Sequence, residues 1–146
     1  SDLVLSKIEA ELDHFTGPAF EEITRQFLIA LNNQGKLPFP FEKIGKQWGK
    51  FRGEPGKNTY EIDLAALNES TKEILFCECK WQKQPVEKEV MEELMEKAKL
   101  VDWYREERKE YFAVMAREGF TKEAKRLAKE KGVLLFSLKD LDSVEE

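Results

Sequence analysis

The sequence predicts an α/β fold, a single mixed β-sheet flanked by helices in the order α-β-β-β-α-β-α-β. Three observations carry that expectation. Residues 18–33 and 86–102 repeat apolar side chains at helical spacing. Residues 43–51, 59–67 and 72–81 read as three successive strands joined by short turns, an antiparallel meander. Residues 110–116 and 133–138 are strand-like runs on either side of a capped helix, which calls for crossover connections. At 146 residues the chain suits one domain, 1–146, large enough to bury a core.

Taken in order, residues 3–13 read as a short helix with Leu5, Ile8 and Leu12 on one face. Gly17-Pro18 opens the next helix, since Pro fits a first helical turn. Its stripe is Phe20, Ile23, Phe27, Leu28, Ala30 and Leu31, and "NNQGKLPFP" (32–40) ends it. "KIGKQWGKF" (43–51) is a strand interrupted by glycine, "RGEPGKN" (52–58) a loop and "TYEIDLAAL" (59–67) an alternating strand. "KEILFCECKW" (72–81) is apolar on both faces over 74–79, which predicts a central strand. The helix at 86–102 aligns Val86, Val90, Met91, Leu94, Ala98 and Val101. "EYFAVMA" (110–116) is a strand broken at Gly119. Thr121 caps a helix that runs to Lys131 and stops at Gly132, and "VLLFSL" (133–138) is the last strand.

Composition excludes several classes of protein. The hydrophobic share is 41% and the charged share 36%, so the chain is not of the disordered type. The net charge of −5 excludes a generic polycation. No apolar run approaches the ~18 residues that a membrane span needs, and "SDLVLSKIEA" lacks the pattern of a signal peptide. Cys77 and Cys79, at i and i+2 of one strand, make a poor disulfide pair and read as buried reduced thiols of a cytoplasmic protein. Two Cys and the single His14 are a poor zinc set. "GKQWGK" and "GEPGKNT" fail as phosphate loops, because Ile44 and Phe51 stand where the first glycine is required. A hydrolase triad finds no Gly-x-Ser-x-Gly elbow, and His14 reads as an exposed helix residue.

One constellation survives. Glu78 and Lys80 share a strand face with Ile74 and Phe76, so a central apolar strand ends in a carboxylate and an amine. A hairpin closed near residues 67 and 72 brings Asp63 close to Glu78. Buried charges need partners, and two arrangements supply them. A divalent cation relieves the repulsion of the two carboxylates, with Lys80 beside it; or Lys80 bridges Asp63 and Glu78 as an ion pair. Glu21 sits at the edge of its helix stripe. It reaches into a cleft or pairs with Arg25, whereas Glu22 points to solvent. Glu61 shares Asp63's strand face by alternation and is a secondary candidate.

Glu21 on an early helix, Asp63 on the second strand and Glu78-Cys79-Lys80 on the third resemble the PD-(D/E)XK nuclease superfamily, whose core has the same element order. "GPAFEEI", "GKQWGK", "EIDLAAL" and "LFCECKW" are similar to a narrower group, the C-terminal domain of unknown function of archaeal ATPases. The resemblance implies a restriction-endonuclease-like fold and hydrolysis of DNA phosphodiesters. It implies that Asp63, Glu78 and the backbone carbonyl of Cys79 hold Mg²⁺ or Mn²⁺, that Lys80 positions or activates water, and that Glu21 supports metal or water. It also implies an ATPase module elsewhere in a longer chain, of which this piece is C-terminal. Asp63 follows Ile62 rather than Pro, a departure the superfamily tolerates, and many relatives keep the fold without a working site.

Charge is unevenly spread. Residues 43–57 carry Lys43, Lys46, Lys50, Arg52 and Lys57 against Glu54 alone, a net of +4 with Trp48 and Phe51 interleaved. Residues 117–132 net +3 and residues 87–97 net −3. Such a basic arm is either a salt-sensitive phosphate contact or a Lys-guarded strand edge. Three functions follow for test: a metal-dependent nuclease, a silent DNA-docking or regulatory domain of an ATPase, and a protein-binding module using the acidic helix. A homodimer is compatible with each.

Overall fold

The computed structural model describes residues 17–50 and 59–144, without the side chains of 47–50 and Thr59. The helix expected at 3–13, His14, Phe51 and the loop with Arg52 and Lys57 lie outside the described residues, as do the side chains of Trp48 and Lys50. The order is α1 (Gly17–Asn33), β1 (Lys43–Lys50), β2 (Thr59–Asn68), β3 (Glu73–Lys80), α2 (Lys88–Ala98), β4 (Lys109–Ala116), α3 (Lys122–Lys131) and β5 (Leu134–Ser137). A 3-10 helix at Leu138–Val144 follows. The strands form one mixed sheet in chain order, with β1-β2-β3 antiparallel and β3-β4-β5 parallel.

β3 is the middle strand, as its doubly apolar run requires. Ile74 and Phe76 pack under α2 and α3, while Leu75 and Cys77 pack under α1 and the 3-10 helix. α1 presents Phe20, Thr24, Phe27, Leu28 and Leu31 to the sheet. Asn32 clasps the returning chain, its amide donating to Phe41 O at 3.1 Å and its carbonyl accepting from Phe41 N at 2.9 Å. Thr121 Oγ1 accepts from Ala124 N at 3.1 Å, and Gly132 turns left-handed at φ 73°, so both ends of α3 are the ones its sequence signals specify.

The helix expected over 86–102 is shorter. Val86 and Val101 are buried with its stripe, but neither is helical. Val86 instead bridges Phe120, donating to Gly119 O at 2.8 Å and accepting from Thr121 N at 3.0 Å. Past the far end, the buried Arg108 guanidinium donates to the carbonyl of Ala98, the helix's last residue, at 2.7 Å and to the loop carbonyls of Val101 and Trp103 at 2.8 Å. The last strand is also shorter than expected, and the 3-10 helix that follows it carries no periodicity signal of its own.

β2 departs from simple alternation. Gly45 pairs with Ala65 but Gln47 with Ile62, so Asp63 and Leu64 together oppose Lys46. This is a β-bulge. Before it, Tyr60 and Ile62 face α2; after it, Leu64 and Ala66 face α1. Among the described residues, no helix is long and apolar enough to cross a membrane.

Leu28 is fully buried between α1 and the sheet. Leu28→Ala is expected to lower the unfolding free energy by about 2–5 kcal/mol. Thr121→Ala is expected to cost about 1 kcal/mol. Urea titrations check both, and an unchanged midpoint for Leu28→Ala would contradict the packing of α1.

Candidate active site where two strands part

Pairing of β2 with β3 ends at Leu64–Cys77, although β3 continues beside β4 to Lys80–Ala116. In the gap beyond that last pair, carboxylates take up backbone N–H groups. Asp63 N donates to Glu78 Oε1 at 3.1 Å, and Cys79 N donates to Asp63 Oδ2 at 2.9 Å. The bulge turns Asp63 toward α1, while Glu78 stays on the α2 face. The two carboxylates therefore meet across the gap rather than side by side on one surface.

Each side of the gap has its own cation. On the α1 side, Lys46 Nζ lies 3.1 Å from Glu21 Oε1 and 2.8 Å from Glu61 Oε1. Glu21, Lys46, Asp63 and Leu64 line a cavity of about 190 Å³ together with Pro18 and Arg25. On the α2 side, Lys97 Nζ lies 3.4 Å from Glu78 Oε2 and donates to Glu61 O at 3.0 Å. Glu78 is only 5% exposed. Arg25 forks onto Glu22 at 2.7 and 2.8 Å, so the alternative pairing of Glu21 with Arg25 does not form. Glu22 is exposed, as its helical angle requires, and that fork holds its carboxyl down at about 2.

Of the two arrangements left open by the sequence, the Lys80 bridge between Asp63 and Glu78 does not form. Lys80 stands half-buried at the end of β3 and makes no hydrogen bond or ion pair to either carboxylate; Lys97 takes that place for Glu78. Sequence spacing could not find Lys97, which lies 19 residues beyond Glu78 in the last turn of α2. Its one signal is a basic residue at the helix's C-terminal end. Of the expected basic arm, Lys43 and Lys46 are exposed on β1, but Lys46 is already committed to two carboxylates. Cys77 is buried and Cys79 half-buried, both free. Contact with the Cys79 thiol, then burial, pushes the Cys77 thiol well up, so it stays protonated.

The carboxylates are electrostatically strained. Burial, first, lifts Glu78 above its usual 4.5; the Asp63 charge adds to this, and Lys97 opposes it. Burial also lifts Glu21, with the Lys46 hydrogen bond opposing and Asp63 adding. Among the described residues no three His, Cys, Asp or Glu side chains are gathered tightly enough to hold a metal ion as they stand. The donors are nonetheless hard oxygens of the type Mg²⁺ and Mn²⁺ take. The upward shift of Glu78 and Glu21 is what a nearby cation would oppose. The residue types fit such an ion; Lys46 pairs with Glu21 and Lys97 with Glu78.

Known proteins bear on the fold. The profile of DUF234, archaeal and bacterial proteins of unknown function, matches residues 1–99. An uncharacterized protein of Methanocaldococcus jannaschii is 38% identical over 139 residues, covering 93% of this chain and 28% of that protein. The MspJI restriction endonuclease, solved in complex with a 27-mer oligonucleotide, superposes with a TM-score of 0.58 at 14% identity, over 97% of this chain and 30% of the endonuclease chain. The protein of unknown function AF1548 gives a TM-score of 0.45 at 20% identity, over 82% of this chain and 56% of that one. The fold is restriction-endonuclease-like, and the chain spans under a third of the length of its curated relative.

A carboxyl raised on folding holds more protons in the native than in the unfolded state between its two pKa values. Stability therefore falls as pH rises through that interval. For Glu78 the interval opens at about 4.5 and extends upward. Glu78→Gln cannot ionise and lacks this dependence. Wild-type unfolding free energy should rise relative to Glu78→Gln as pH is lowered from about 7 toward 4.5, measured by urea titration at each pH. A difference that stays flat over that range would refute the burial of an ionisable Glu78.

Proposed function

The chain belongs to the DUF234 family, and from that membership, its fold and the carboxylates at the strand gap we propose that it is a divalent-cation-dependent DNA endonuclease domain. The observation that carries the reading is the interlock of Asp63 and Glu78 across the gap, with Glu21 facing Asp63 over a cavity. In this reading Asp63, Glu78 and the Cys79 carbonyl hold Mg²⁺ or Mn²⁺. Bound there, the ion would acidify a water and neutralise charge developing on the phosphate. Glu21, held above the usual carboxylate range, accepts a hydrogen bond from the attacking water. Lys80, whose ammonium makes no hydrogen bond or ion pair among the described residues, donates to a non-bridging phosphate oxygen.

Lys43, Lys46, Lys50, Arg52 and Lys57 neutralise the DNA backbone, which needs no sequence-specific contact. The oligonucleotide in the structurally similar endonuclease supports DNA as the partner. Residues 1–146 act as one nuclease-like domain at the C-terminus of a cytoplasmic ATPase-containing chain, singly or as a homodimer. The length of the curated relative leaves room for such a module.

A second reading has its own observation. Lys46 and Lys97 already neutralise Glu21 and Glu78, as they would in a silent domain that docks on DNA without a metal. Two measurements separate the readings. Supercoiled, linear and branched DNA should be cleaved with Mn²⁺ or Mg²⁺, and Asp63→Ala and Lys80→Ala should each lose about 10²–10³-fold in rate. Calorimetric titration with Mn²⁺ should give heat for the wild type and none for Asp63→Ala. Equal heats, with DNA bound but never cut, would establish the silent domain instead.

A further inference from the structure

We propose that Lys46 is a phosphate-positioning residue that changes partners: Glu21 and Glu61 hold its ammonium in the free protein, and a DNA backbone phosphate takes it over, so that DNA and the divalent cation each promote binding of the other. The proposal rests on the endonuclease reading and deepens it.

The bulge supplies the geometry. Two residues of β2, Asp63 and Leu64, oppose Lys46 alone, and this places Lys46 on the wall of the cavity that Glu21 and Asp63 also line. Its Nζ lies 3.1 Å from Glu21 and 2.8 Å from Glu61; its side chain is 39% exposed, Glu61's 56% and Glu21's 21%. An ion pair this open to water is weak and exchanges readily. A phosphodiester arriving at the cavity mouth offers charged oxygens to the same ammonium. The partner on the other face behaves differently. Lys97 holds a carboxylate that is 6% exposed and also donates to Glu61 O, so its departure would strand a buried charge.

Departure of Lys46 changes the charge of the cavity. Glu21 would keep Asp63 as its charged neighbour and lose the ammonium that now opposes that repulsion. Two facing carboxylates without a counter-ion bind a cation more tightly than the same pair already neutralised. By linkage, whatever DNA does for cation affinity the cation does for DNA affinity.

The test is calorimetric titration with Mn²⁺ of wild type, Lys46→Met and Lys46→Arg, alone and with a short phosphorothioate duplex that resists hydrolysis. Without DNA, Lys46→Met should bind Mn²⁺ about 5–10-fold more tightly than wild type, within the usual range of such couplings. Added duplex should tighten Mn²⁺ binding in wild type by a larger factor than in Lys46→Met. Lys46→Arg, which keeps the charge, should follow wild type. Wild-type binding of Mn²⁺ that Lys46→Met leaves equal or weakens would overturn the proposal alone. Absence of Mn²⁺ binding in all three proteins would remove the endonuclease reading, and this proposal with it.

Discussion

The molecule depends on how β2 and β3 separate. A ladder that ends inside a domain leaves N–H groups to be satisfied, and burying them unpaired costs about 1–3 kcal/mol each. Here Asp63 and Glu78 accept those hydrogens. The same two side chains thus terminate the pairing and place negative charge in the gap. A chemically loaded site and a structural solution to a backbone problem coincide in one pair of residues. Their conservative amides could still accept the hydrogen bonds but would remove the charge, which makes structure and chemistry separable by mutation.

Around that gap the chain distributes its charge by face. The total of −5 says little on its own. Part of the acid is turned inward, at Glu21, Asp63 and Glu78, and part of the base is spent there too, through Lys46 and Lys97. A formal count of the basic arm at 43–57 therefore overstates the charge it presents. Lys46 faces its own protein first, and any DNA must compete with Glu21 and Glu61 for it. Affinity for nucleic acid then depends on the internal state of the site and not on surface potential alone.

The sequence disclosed what rests on local rules. The doubly apolar run at 74–79 marks the central strand, Thr121 and Gly132 mark the ends of α3, and the stripe from Phe20 to Leu31 marks the buried side of α1. The proximity of Asp63 to Glu78 followed from hairpin counting. What stayed hidden depends on contacts distant in sequence. The bulge sits inside a segment whose apolar residues look regularly alternating, and only the two helical layers reveal the change of face. Val86 and Val101 belong to the helix stripe by spacing, but Val86 is bridged to Phe120 and Val101 O is held by the Arg108 guanidinium in the loop beyond the helix. Lys97 rather than Lys80 answers Glu78, because the neighbour of a buried carboxylate is chosen by packing and not by strand parity.

The unequal lengths of the two ladders on β3 also have a mechanical side. On one edge β3 is pinned to β4 along its whole length, from Glu73–Lys109 to Lys80–Ala116. On the other edge it is pinned to β2 only from Leu64–Cys77 to Asn68–Glu73. The stretch Thr59–Ile62, zipped to β1 but not to β3, leaves that ladder at the bulge and is held instead by α2, against which Tyr60 and Ile62 pack. Load applied inside the gap is therefore borne unequally. One wall is braced by hydrogen bonds to the rest of the sheet, and the other by side chains packed on a helix. Widening the gap therefore breaks the Asp63–Glu78 interlock and lifts Ile62 from α2, but leaves every ladder bond of β3 in place.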